Sequence, residues 1–72
     1  MPDAEFALNA AYIELNQLLK LAGFCDSGGA GKALVAEGLV SVDGRPETRK
    51  TAKIRAGQVV ACGDQRVVVV AG

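Results

Sequence analysis

Apolar residues recur with two different periods along this 72-residue chain. In the span Tyr12 to Ala22, Leu15, Leu18, Leu19 and Ala22 fall at i, i+3, i+4 and i+7. That spacing predicts one apolar stripe on a helix. Gly23 follows and can take the left-handed conformation that ends a helix. A second helix is predicted with Asp26 or Ser27 as its N-cap. There Ala30, Ala33, Leu34 and Glu37 share a face, and Gly38 closes it. About three residues link the two, so they form a helical hairpin. From Leu39 the period shortens. Val40 and Val42 alternate with Ser41, and Asp43-Gly44 suits a two-residue hairpin turn. Pro46 has no N–H to give a ladder, so the returning strand is short or at an edge. Val59-Val60-Ala61-Cys62, Gly63-Asp64 and then Arg66 to Val70 read as a second hairpin. The run Val67 to Val70 lacks polar alternation and is expected to be buried on both faces. Glu5-Phe6-Ala7-Leu8 alternates weakly, which fits a short strand. The expected fold is α+β, a helical hairpin packed on a small antiparallel sheet.

Length sets the scale. Seventy-two residues make one domain, read as 1–72. Such a chain buries about 60% of its unfolded surface, so its core is small. Half the residues are apolar and three are aromatic, which leaves Val, Leu and Ala to fill that core. No apolar run approaches the roughly 20 residues a bilayer span needs. The opening Met1-Pro2-Asp3-Ala4-Glu5 lacks the basic start of a signal peptide, and a soluble cytoplasmic protein is expected.

Charge changes the picture. The formal net charge is zero, yet five of the eight bases, Arg45, Arg49, Lys50, Lys53 and Arg55, fall within one short stretch. Residues 1–31 carry one lysine against four acids; residues 32–55 carry six bases against three acids. A neutral chain polarised in this way is a candidate for binding a polyanion with one face. Arg offers phosphate a bidentate fork and Lys a mobile point charge.

Other chemistry is narrowed. There is no His, which removes Ser-His and Cys-His nucleophile pairs. Cys25 and Cys62 are too few for a zinc site and are expected as free thiols. Gly28-Gly29-Ala30-Gly31-Lys32-Ala33 invites a phosphate-loop reading but fails it. The pattern needs Gly where Asp26 stands, Ser or Thr where Ala33 stands, and a preceding strand. The glycines still need a reason, since each costs roughly 1 kcal/mol against Ala within a helix. Either a phosphate rests on the N–H groups of this helix start beside Lys32, or the turn packs tightly on the first helix or the sheet. Glu14, Glu37 and Glu47 read as solvated surface charge and Asp43 as a turn former. Tyr12, Phe6 and Phe24 can stack on bases, but their apolar contexts favour core or staple roles. No cofactor is implied.

The segment Gly38-Leu39-Val40-Ser41-Val42-Asp43-Gly44-Arg45, after two helices, resembles the RNA-binding module of the ribosomal-protein S-four type, the alpha-L motif. That core reads Gly-x-Val-x-Val-Asn-Gly, then a basic stretch, then a Gly-Asp near the next strand; here Ala56-Gly57-Gln58-Val59-Val60 stands at the second site. Glu14-Leu15, Leu18-Leu19-Lys20-Leu21, Glu47-Thr48-Arg49-Lys50 and Ala56-Gly57-Gln58 are similar to the small stand-alone bacterial proteins of the YbcJ type. The resemblance covers about residues 13–62. It implies a non-catalytic, monomeric RNA-binding domain for structured RNA, often ribosomal or transfer RNA. It also implies a binding surface on the loop after the turn (Arg45, Arg49, Lys50, Lys53, Arg55) and the second helix (Ser27, Lys32). The family usually opens that helix with Ser-Arg; here Ser27 is followed by Gly28, so the helix half is weak in charge. Two alternative readings are an interaction module whose basic loop docks on an acidic protein surface, and a nucleotide-binding enzyme using the glycine-rich segment.

Overall fold

The computed structural model describes residues 4–72, in the order β1 (Ala4–Leu8), β2 (Ile13–Glu14), α1 (Leu15–Leu21), α2 (Gly28–Ala36), β3 (Val40–Val42), β4 (Arg45–Pro46), β5 (Lys53–Ile54), β6 (Val59–Cys62) and β7 (Gln65–Ala71). The reading of the chain's first residues as no signal peptide lies partly outside the described ones. No described helix is long and apolar enough to cross a membrane.

Two helices lie against a five-stranded sheet of order β1-β7-β6-β3-β4, while β2 and β5 form a separate two-stranded ribbon. Leu15, Leu18 and Leu19 of α1 are fully buried, as the stripe predicts, with Val35 of α2 and Val40, Ile54, Val60, Val67 and Val69 from the strands. Burial of each such side chain stabilises the fold by roughly 1.5–3 kcal/mol.

The helix ends follow from glycine. At the end of α1, Gly23 has φ +85°; its N–H bonds Lys20 O and that of Phe24 bonds Leu19 O. At the end of α2, Gly38 has φ +75°, with Gly38 N–H on Val35 O and Leu39 N–H on Leu34 O. Both are the paired bonds of a Schellman cap, which needs a left-handed residue. Ser27 is the N-cap of α2, and its Oγ accepts from Ala30 N–H at 3.1 Å.

Four differences from the sequence reading have physical causes. Helix α1 starts at Leu15, because Ile13 and Glu14 pair instead with Ile54 and Lys53. The sheet is mixed: β1 runs parallel to β7, while every other described pairing is antiparallel. Val67 and Val69 are buried but Val68 and Val70 only half-buried, so β7 has one fully covered face. On α2 the buried positions are Gly31 and Val35, and Ala33 is exposed. Gly31 sets that facing. A Cβ placed there would lie 2.8 Å from the backbone oxygen of Asn16. The close approach of α2 to α1 therefore requires glycine, and packing accounts for this member of the glycine run. Gly28 and Gly29 are not held to glycine in this way, since a Cβ at either meets only ordinary contacts.

Candidate nucleic-acid interface

The first turn of α1 has no side-chain cap. The basic loop caps it instead: Leu15 N–H bonds Ala52 O at 2.9 Å and Asn16 N–H bonds Lys50 O at 3.1 Å. Free N–H groups at a helix start need partners, and two carbonyls of the segment between Arg49 and Lys53 supply them. The loop is thereby fixed to the helical layer. Ala52 and Ile54 are buried beneath it, while Arg49, Lys50, Lys53 and Arg55 are exposed.

Asn16 is the junction of three segments. Its N–H holds the loop, its carbonyl lies against Gly31 of α2, and its side chain borders Gly28. It is 2% exposed, and its Oδ1 has no hydrogen-bond partner among the described residues. Lys32, next to Gly31, is exposed, as is Ser27. The loop and the start of α2 thus both meet the one buried residue Asn16, through Lys50 O and through Gly31. The Ser27 hydroxyl oxygen is engaged in capping.

The turn end of the loop is also tied down. Asp43 has φ +53°, as a left-handed hairpin turn demands. It is more than a turn former: its Oδ1 accepts from Val59 N–H at 2.9 Å and its Oδ2 from Gln58 Nε2 at 3.4 Å. Gln58 Oε1 in turn accepts from Arg55 N–H at 2.7 Å. Gln58 so bridges the turn to the far end of the basic loop, a role with no signal in the sequence. Val42, Asp43, Arg45, Pro46, Glu47 and Gln58 line an open hollow on this side.

Glu47 is not merely a solvated charge. Its Oε2 accepts from Arg49 N–H at 3.0 Å and Arg49 Nε at 3.2 Å. The Arg49 side-chain bond, then its backbone N–H, hold the Glu47 carboxyl below the ordinary range. Arg49 stays largely in solvent, with 79% of its side chain exposed. Tyr12 also departs from expectation. Phe6 and Phe24 pack against the core, but Tyr12 is 41% exposed, with Lys53 Nζ 5.0 Å from its ring centroid.

Cys25 and Cys62 are free and half-buried. Burial, with a smaller contribution from Cys25, pushes the Cys62 thiol up, away from a reactive thiolate. No group of three or more metal-ligating side chains occurs among the described residues.

A helical hairpin on a small sheet, with an anchored loop of exposed cations, defines the class. The S4 domain profile matches residues 6–70, and the chain belongs to that family. It is 52% identical over 60 residues to YbcJ of Escherichia coli (strain K12), a match covering 83% of this chain and 86% of that one. YbcJ of Shigella flexneri matches to the same extent. The solution structure of the Escherichia coli protein, described as revealing an αL motif involved in RNA-binding, superposes with a TM-score of 0.77 at 47% identity. The match covers 99% of this chain and 91% of that one.

Proposed function

We propose that residues 1–72 form a single, monomeric, non-catalytic RNA-binding domain acting in the cytoplasm without a cofactor. Its ligand is structured RNA of the ribosomal or transfer class. The contacts are phosphate contacts from Arg45, Arg49, Lys50, Lys53 and Arg55, supported by Ser27 and Lys32 at the start of α2. The observation that carries this reading is the loop itself: five exposed cations on a segment whose backbone caps α1. Membership of the S4 domain family and the RNA-binding motif named for the YbcJ structure support it. Phosphate contacts position a protein but carry little base information. Recognition then follows RNA shape.

The test is charge reversal at Arg49 and Lys50 together, with Lys20→Glu as control, read by filter binding to a structured RNA. The double reversal should weaken binding at least tenfold with an unchanged circular-dichroism spectrum, and the control should matter much less. Equal losses at all three positions would mean diffuse attraction without a site. Retention of an acidic protein, but no RNA, by the wild-type chain would favour the protein-docking alternative.

A further inference from the structure

We propose that Tyr12 and Lys53 form a receptor for one unpaired nucleotide, so that the RNA bound carries a bulge or loop base beside the helix whose backbone the basic loop follows. This rests on the RNA-binding reading above and narrows its substrate class. Tyr12 is the one aromatic residue outside the core and its packed fringe. It precedes β2, which pairs with β5 through Ile13–Ile54 and Glu14–Lys53. Carrying that register one residue outward puts Tyr12 opposite Arg55, with Lys53 as its diagonal neighbour. Ile54 is buried and the flanking Lys53 and Arg55 are exposed, so the ring stands among the cations of the loop. The Lys53 ammonium lies within cation–π range of it, at 5.0 Å. A half-exposed aromatic ring beside phosphate-binding cations has the composition of a base-stacking platform. The ring takes the base, and the Lys53 ammonium takes that nucleotide's phosphate.

Tyr12 is the only tyrosine and the chain has no tryptophan, so its intrinsic emission reports this ring alone. Two RNA hairpins serve as probes, one with a single unpaired adenosine in its stem and one fully paired. The bulged hairpin should quench tyrosine emission and bind more tightly. Tyr12→Ala should weaken its binding roughly tenfold, the scale of one stacked base, while barely changing that of the paired stem; Tyr12→Phe should retain it. Tyr12→Leu keeps an apolar contact without a stacking face and should lose the bulged hairpin as Tyr12→Ala does; retained binding by Tyr12→Leu would assign the Tyr12→Ala loss to the fold and overturn the proposal. Equal quenching by both hairpins, no preference for the bulge, or equal losses on both would overturn the proposal. Charge reversal at Arg49 and Lys50 separates the two readings: if it abolishes binding while Tyr12→Ala is silent, the stacking receptor fails and the basic loop stands. If neither change affects binding, the loop reading fails as well.

Discussion

At the scale of single residues, the Glu47–Arg49 pair most alters what composition suggests. A count of cations treats Arg49 as one free charge. In the structure its Nε and backbone N–H both face one carboxylate. A phosphate must compete with that carboxylate for Arg49 and is repelled by it. With Arg49 largely in solvent, the pair contributes little to stability. Because the native carboxyl is depressed, that small contribution is present above the unfolded carboxyl's pKa and lost as pH falls through the lowered native value. At neutral pH Glu47 is ionised, and on the proposed reading a phosphate brought to Arg49 meets that charge. Glu47→Gln keeps an acceptor for Arg49 N–H while removing the charge. RNA binding at pH 7 should tighten severalfold at most, since charge pairs open to solvent are weak. Anisotropy with a labelled RNA measures it. Weakened binding would mean instead that Glu47 aims Arg49 at the ligand.

At the scale of elements, the features legible in the sequence are those fixed by neighbours in the chain. Gly23 and Gly38 end the helices, Ser27 caps α2, and Asp43-Gly44 turns the β3–β4 hairpin, each set within a few residues. What was hidden depends on distant partners. The first residues expected in α1 became β2 because β5, far along the chain, supplies an edge. The parallel pairing of β1 with β7 joins the two ends of the described chain, and weak alternation in β1 cannot state a direction. The site divides the same way. Its cations were plain from spacing, whereas the bridge through Gln58 and the exposure of Tyr12 required the fold. The glycine run of α2 left two explanations open, and Asn16 decides between them at Gly31. Gly31→Ala forces a Cβ into a backbone oxygen that cannot rotate away. It should destabilise by roughly 1–3 kcal/mol, as overpacking does. For a domain of this size that lowers Tm by about 4–8 °C per kcal/mol. Binding to RNA, measured well below Tm, should fall far less than stability does. Loss of binding at an unchanged Tm would restore a phosphate contact at this turn.

At the scale of the molecule, charge is segregated along the sequence, and the fold ties the basic loop to the start of α1. The acidic excess lies before Lys32, and the cations that follow it border α1 through the loop and α2. A net charge of zero gives no net-charge attraction to RNA, so the electrostatic part of the affinity comes from local replacement of counterions. Each phosphate contact contributes a slope of roughly −0.7 to −0.9 in log affinity against log salt. Taking about five contacts, the slope should be near −4, a loss of roughly two orders of magnitude between 50 and 200 mM salt. Lys50→Ala should make the slope shallower by about one contact. Arg49→Ala should change it less, because Glu47 already offsets that charge. Duplex DNA should bind more weakly than RNA of the same length, since A-form shape and 2′-hydroxyls contribute nothing there. A titration by filter binding with both nucleic acids reads all of these at once. Salt-independent binding, or DNA held as tightly as RNA, would remove the basic loop as a shape-reading surface and leave the fold without its proposed ligand.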